Sequence, residues 1–367
     1  MIRILHFVSS VNINSGVMSV LMNYYRHIDK SKIQFDFVYF TENDTQNYKN
    51  EILSGGGRCY LVAAPNHDPL GFEKDIHRLY KKHYGEYYAV HLHDTFLPAF
   101  LLDCKRKIGA KKLIAHAHST AYGDVKLKSI RNYILSLPKY FIVDRFWACS
   151  HEAGYVLAGK RMFERKGKIL NNAIRLSDFK FSQKNRDYYR EMLDVSDDFV
   201  IGHVGHLSRQ KNHVFLIEVF NRVLKDIPNA KLVLIGDGSE RANIEKQCKE
   251  LGIDNAVHFL GIRSDVNRVL NAFDVFCFPS RFEGLGIALV EAQATGIPCV
   301  YANTIPSEVN ILKAQNKILS LNDSFEQWSD AVVSSVKKYD DPQQELRTAG
   351  FDIQIEAAKI ADDYVNS

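Results

Sequence analysis

Short runs of β-branched and aromatic residues alternate with longer helix-patterned stretches along the whole chain, and nothing else in it restricts the possible folds as strongly. Parallel strands need a crossover of a dozen or more residues between neighbours, so this spacing predicts βα units and parallel sheets. Strands are expected at 2–8 (IRILHFV), 35–40, 59–63, 88–92, 112–117 and 141–148, then at 199–204 (FVIGHV), 231–235, 256–260, 274–278 and 298–301. Two doubly wound sheets result. The polar stretch NNAIRLSDFKFSQKNRDYYREMLDVSDD puts a boundary within 173–197, giving domains of 1–175 and 198–345. A single closing helix, 346–367, is placed to pack back on the first domain.

Charge and cysteine use narrow the function classes. With 46% hydrophobic and 25% charged residues, 367 residues suffice for two cores, and disorder is not expected. No run reaches the roughly 18 apolar residues of a spanning helix, so the expectation is a cytoplasmic chain that at most rests on the inner face of the membrane. Six scattered cysteines, none in a CxxC pair, read as buried reduced thiols. The net charge of +4 conceals a first half (1–180) with 27 Lys+Arg against 16 Asp+Glu and a remainder with 20 against 27. The excess lies in CKRKIGAKK, KLKSIR and GKRMFERKGK. Solvated helix faces would account for it, and so would a surface attracted to anionic headgroups or a phosphorylated acceptor. Aromatic-basic interleaving and recognition-helix motifs are missing, which argues against nucleic acid.

Ligands of open parallel sheets bind beyond the carboxyl ends of the strands, so five loops draw interest: SSVNINSGVMS, AHAHSTAYG, HVGHLSRQKN, LIGDGSE and PSRFEGLG. In LIGDGSERANI, Gly236 and Gly238 fit a dinucleotide turn, but Arg241 stands at the third glycine position and no ribose-binding acid follows VHFLG. SRFEGLGIALVEAQATGIPCV is more telling. Gly284 and Gly286 free the backbone to bend, and Leu285 and Ile287 lead into a helix whose amides and positive dipole end suit an anion. At about 1.5 Å per residue, Glu291 lies roughly 7–8 Å further along that helix than Gly286. Glu283 and Glu291 therefore suit a ligand with a central phosphate, a sugar on one side and a ribose on the other; helix capping and a local ion pair are the plain alternatives.

Arg209 and Lys211, in GHLSRQKN, offer cations for the same phosphate. No DxD pair at a strand end suggests Mg²⁺, and strand alternation with no Cys or carboxylate nearby argues against a zinc site at His91, His93, His116 and His118. His118 ends its strand where a neutral imidazole can bond a sugar hydroxyl, and Gly16 opens the first helix where a phosphate can approach. A core histidine and a simple helix-start glycine are the plain readings.

Together these residues resemble the retaining glycosyltransferases of the GT-B fold, within them the family 4 group that includes capsular and exopolysaccharide transferases. The resemblance runs over nearly the whole chain: the Gly16 loop, HAHST, NNAIRLSDF, VGHLSRQKN, LVLIGDGSE, VHFLGIRSDV and Glu283-x7-Glu291. It implies an α/β protein of two Rossmann-like domains facing a cleft, with a nucleotide-sugar donor, here expected to be a UDP-hexose, held by the second. By that resemblance Glu291 binds the ribose, and Glu283 with the backbone of Gly284, Leu285, Gly286 and Ile287 holds the sugar and phosphate. Lys211 and Arg209 stabilise the leaving diphosphate, with Gly205, Gly236 and Gly238 in the donor loops and the base on backbone near Ile262 and Arg263. His118 faces the sugar and Gly16 admits the diphosphate or acceptor. No metal or other cofactor is implied. The acceptor expected is a lipid-linked saccharide at an anionic membrane surface. Two departures stand out: His206 replaces the usual Arg, and Ser15-Gly16 the usual double glycine. A UDP-sugar 2-epimerase of the same fold and a noncatalytic partner subunit are the rival readings.

Overall fold

Residues 4–8 and 33–39 are buried without a break, because strands inside a parallel sheet are covered on both faces and gain nothing from alternation. The structure, a computed structural model, describes residues 1–13, 15–42, 46–123, 126–335 and 341–366. The first sheet holds β1 (Ile2–Ser10), β2 (Ile33–Thr41), β3 (Cys59–Leu61), β4 (Ala89–Leu92), β5 (Lys112–Ala117), β6 (Arg145–Ala148) and β7 (Gly167–Ile169). The second holds β8 (Val200–Val204), β9 (Lys231–Ile235), β10 (Val257–Phe259), β11 (Val275–Phe278), β12 (Cys299–Ala302) and β13 (Lys317–Leu319). Their orders are β3-β2-β1-β4-β5-β6-β7 and β10-β9-β8-β11-β12-β13, parallel throughout. Each order reverses once, between β1 and β4 and between β8 and β11. Those switch points leave adjacent strand ends whose following loops diverge, the crevice where open sheets take ligands.

Two compact units divide the chain: Met1–Ile174 with Asp352–Ser367, and Arg175–Phe351. The polar 173–197 stretch is largely ordered. Its helix Gln183–Met192 sets Arg186 and Arg190 on Asp274 at 2.5 and 3.1 Å, tying it to the start of β11 and so to the second unit. The expected single closing helix is two, Gln343–Thr348 and Ile353–Asn366, broken where Gly350 takes a φ of 82°. The last helix belongs to the first unit. It buries Ile353, Ala357, Ile360 and Tyr364, and its end is held by Lys112 Nζ donating to the carbonyls of Tyr364 and Val365 at 3.0 and 2.8 Å.

Two strands escaped the sequence reading. β7 (GKI) and β13 (KIL) are three-residue edge strands, too short to show a period. The expected 141–148 strand begins only at Arg145, since Lys139–Ile142 forms a helical turn after Pro138. A continuous apolar run such as FIV has no period that separates helix from strand.

Candidate active site

At the second switch point β8 and β11 pair side by side, so the loops that follow them, 205–212 and 279–286, emerge as neighbours. Hydrogen bonds stitch the two loops together. Arg281 N donates to the Gln210 carbonyl at 2.8 Å, Gln210 Nε2 to the Phe282 carbonyl at 2.9 Å, and Asn212 Nδ2 to the Pro279 carbonyl at 3.1 Å. The Arg281 guanidinium returns to Asn212 Oδ1 at 2.9 Å. Asn212 sits at φ 59°, ψ 42°, a left-handed position that a short polar side chain tolerates, and it turns the chain into helix His213–Asp226.

That stitching places Lys211 Nζ 2.7 Å from Glu283 Oε1, with the two side chains only 16% and 8% exposed. The ammonium also lies 4.5 Å from the centre of the Phe278 ring. A Cβ at Gly205 would stand 3.0 Å from Lys211 Cε, so glycine there clears the path of the lysine stem. The cation and the carboxylate that the sequence singled out 72 residues apart thus meet as one half-enclosed pair.

Beside the pair, Gly286 adopts φ 93°, ψ 56° and begins helix Ile287–Ala294 without a side-chain cap. Its leading amides and dipole end are left for an external anion. Leu285 is buried, which leaves its backbone as the part a ligand can reach. The Glu291 carboxylate, one turn into the helix, makes no hydrogen bond or ion pair among the described residues. Crowding by protein atoms pushes its carboxyl up to about 7, with Lys211 pulling the other way. A partly exposed acid so perturbed and left unpaired is a mark of a binding site.

The remaining donor-loop residues fall into two sorts. Gly236 and Gly238 are required by close approach of backbone: a Cβ would stand 2.1 Å from the Gly205 carbonyl oxygen and 2.4 Å from that of Leu207. Gly236 N also donates to the Gly261 carbonyl at 2.8 Å, which brings the 261–263 loop to the same edge. There Ile262 is exposed, while the Arg263 side chain is held by Asp265 at 2.7 and 2.8 Å. Arg209 is exposed and lines a depression with Ser208, Asn212, His213, Glu240 and Arg281; the structure does not bring it into the Lys211–Glu283 pair.

In the first unit, His118 ends a run of imidazoles. His6 Nδ1 and His93 Nε2 are 2.9 Å apart, His93 Nδ1 and His118 Nε2 2.8 Å, and His91 Nδ1 meets the Tyr364 hydroxyl at 2.6 Å. His116 stacks on His118 at 4.0 Å between ring centres, and neither of its own ring nitrogens has a partner among the described residues. Strand alternation and the lack of a nearby Cys or carboxylate argued against a zinc site here; in the structure His6 pairs with His91 in register across β1 and β4, and residues two apart on β4 and β5 share their face. Ligand atoms of His6, His91 and His93, and of His93, His116 and His118, lie close enough in each group to hold a metal ion. Burial drives His118 down to about 4 and His6 to about 3, so these rings are neutral near pH 7. Gly16 starts helix Gly16–His27 under a Ser15 cap, with open space where a side chain would point.

Sequence reasoning missed Asn212, Gln210 and Arg281, which position the pair rather than form it. It also missed Gln293, whose buried amide binds the 309–316 loop through Ile311 N at 3.2 Å, Leu312 N at 3.0 Å and the Val309 carbonyl at 2.8 Å. The N in RQKN was the one available signal, as a residue suited to a left-handed turn before a helix.

The chain is similar to known glycosyltransferases. Residues 185–350 match the model of the family described as glycosyl transferases group 1. EpsF of Bacillus subtilis (strain 168), which carries a provisional glycosyltransferase designation, is 31% identical over 361 residues, spanning 96% of this chain and 93% of its own. The UDP-Gal:alpha-D-GlcNAc-diphosphoundecaprenol alpha-1,3-galactosyltransferase of Escherichia coli is 26% identical over 241 residues, 62% of this chain and 60% of its own. Among solved structures, Anabaena Alr3699/HepE in complex with UDP-glucose superposes with a TM-score of 0.82 at 17% identity, covering all of both chains. WaaG, a glycosyltransferase of lipopolysaccharide biosynthesis, gives 0.74 at 15% identity over 99% of this chain and 100% of its own. These likenesses establish the two-sheet GT-B architecture.

Proposed function

The chain belongs to the group 1 glycosyl transferases, and from that premise we propose that in polysaccharide biosynthesis it moves a hexose from a UDP-sugar to a hydroxyl of a lipid-linked saccharide with retention of configuration. One observation carries the reading: a buried lysine–glutamate pair beside an uncapped helix start, with an unpaired, protonation-prone Glu291 one turn beyond. The helix amides and Lys211 receive the diphosphate, Glu291 takes the ribose hydroxyls, and Glu283 is released toward the hexose when the phosphate claims the lysine.

In the transfer step the bond from the anomeric carbon to the diphosphate oxygen breaks and a bond to the acceptor oxygen forms on the same face. The departing phosphate oxygen takes the acceptor proton, and Lys211 with the helix dipole stabilises the charge that develops there. This scheme needs no metal. His118, neutral at working pH, is a hydrogen-bond partner for the sugar, and Arg209 adds field at the phosphate. The lipid-linked acceptor is supported by the basic first half of the chain and by the diphosphoundecaprenol substrate of the E. coli relative; with no described helix long and apolar enough to cross a membrane, association would be peripheral.

The test is a thermal-shift panel of nucleotide-diphosphate sugars followed by transfer to a lipid-linked acceptor. Stabilisation by UDP-sugars and single-sugar extension are expected. Conversion of the donor to a sugar isomer without acceptor, or stabilisation by none of the panel, refutes the proposal.

A further inference from the structure

Helix Lys126–Ser136 in the first unit is inside out. At 100° per residue, Leu127, Ile130, Tyr133, Ile134 and, in the turn beyond, Leu137 share one arc of about 120°. That arc faces outward: the exposures are 78, 58, 47, 56 and 37%, and Phe141 just after it is 91% exposed. Away from that arc, two polar side chains are buried. Asn132 is 6% exposed and donates to the Tyr122 carbonyl at 2.7 Å. Ser136 is fully buried and accepts at 2.7 Å from Lys139, itself fully buried, whose ammonium also meets the Tyr122 hydroxyl at 3.0 Å. A surface helix of a soluble domain shows the reverse pattern, apolar side in. Here a network of hydrogen bonds locks the helix with its apolar side to solvent.

We propose that this ridge is the surface by which the chain docks on an anionic lipid bilayer. Charge complementarity selects that occupant. Arg131 is exposed at the edge of the apolar arc, Lys128 is exposed on the side nearer Asp94, and residues 104–168 carry 15 Lys+Arg against 4 Asp+Glu. An amphipathic helix with apolar side chains on one arc and cations at its margin lies in the headgroup plane, drawn by both burial and charge. Location fits as well. The helix packs on the turn Leu97–Ala99 that follows β4, and Lys128 acts on Asp94, which binds Ser9 at the end of β1. The ridge therefore flanks the carboxyl end of the first sheet, the end at which His118 leaves β5. A sugar carried on a membrane-embedded lipid would be presented to that edge. This inference rests on the lipid-linked acceptor proposed above and names the surface that meets its membrane.

The experiment is cosedimentation of the full chain with phosphatidylglycerol-containing vesicles and with phosphatidylcholine vesicles, at low and high salt. Two variants are compared with the parent: Ile130→Asp with Ile134→Asp, and Lys128→Glu with Arg131→Glu. All four positions point outward, and near-ultraviolet circular dichroism with the UDP-sugar thermal shift confirms folding. The parent should sediment with the anionic vesicles, the apolar variant should lose at least about tenfold in partitioning at both salts, and the charge variant should lose mainly at low salt. Parent-like binding by the variants overturns the proposal, as does failure of the parent to bind vesicles. So does a concentration-dependent dimer that the variants abolish while neither form meets lipid. Vesicle binding that follows this pattern without any donor response would support the surface and count against the transferase reading alone.

Discussion

Mild acid should unfold the first unit well before the second. His6 and His118 have folded values of about 3 and 4, against 6.5 when free, chiefly because burial penalises the charged ring. Between pH 6.5 and 4 the unfolded chain binds protons that the folded chain refuses, so stability is fully present above 6.5 and is lost as pH falls. At pH 5, about 1.5 units below the free value, each of the two histidines costs about 2 kcal/mol, at roughly 1.4 kcal/mol per unit. Asp94 acts in the opposite sense: burial raises it to about 6, so the folded state gains a proton first and recovers about 1.4 kcal/mol by pH 5. The three groups together remove about 2–3 kcal/mol, and His91, His93 and His116, all driven down by burial and by neighbouring imidazoles, add to the loss. In the second unit His203 and His213 lose in the same sense, but Glu291, raised to about 7, offsets about one of them.

The two tryptophans make this measurable, since Trp147 lies in the first unit's core and Trp328 in the second's. Trp328→Phe leaves fluorescence that reports the first unit, and Trp147→Phe the second. Urea unfolding at pH 7 and pH 5 should lower the Trp147 midpoint by about 1 M or more, for a slope of about 2–3 kcal/mol per M. The Trp328 midpoint should move less. A Trp147 midpoint unchanged between the two pH values would refute the claim that these rings are buried and neutral.

Other outcomes follow from the same geometry. Lys211→Ala and Glu291→Ala should each lower transfer by about a hundredfold or more, as for loss of a preorganised contact, read from initial rates at saturating acceptor. UDP affinity, measured by calorimetry, should weaken as pH falls below about 7, where Glu291 takes up its proton and can no longer accept from both ribose hydroxyls, and Glu291→Gln should flatten that dependence. Gly236→Ala drives a methyl into the Gly205 carbonyl and should destabilise the second unit by about 2 kcal/mol or more, seen in the Trp328 transition.

Sequence pattern revealed the parallel-sheet plan because its long inner strands are rich in β-branched and aromatic residues, as in β1 and β2, even with His6, Gln34 and Asp36 buried among them. It failed at the three-residue edge strands β7 and β13, though it found β3 and β10 of the same length, and where FIV carried no period. Lys211 and Glu283 were recognisable as chemistry-bearing residues. Their pairing was not, because it depends on Gln210, Asn212 and Arg281 joining two loops across a sheet reversal that no local pattern encodes. The histidines were visible one by one, yet their gathering needed the register of β1, β4 and β5. The apolar arc of Lys126–Ser136 has helical spacing in the sequence, but only its buried Asn132 and Ser136, with Lys139 from the next turn, tell that the arc faces out.

The most direct test of the central claim is the structure of the chain crystallised with UDP. The account predicts the diphosphate against the amides at the start of helix Ile287–Ala294, within hydrogen-bond reach of Lys211 Nζ, and the ribose hydroxyls on Glu291. A nucleotide bound elsewhere, with Lys211 still closed on Glu283, would contradict it.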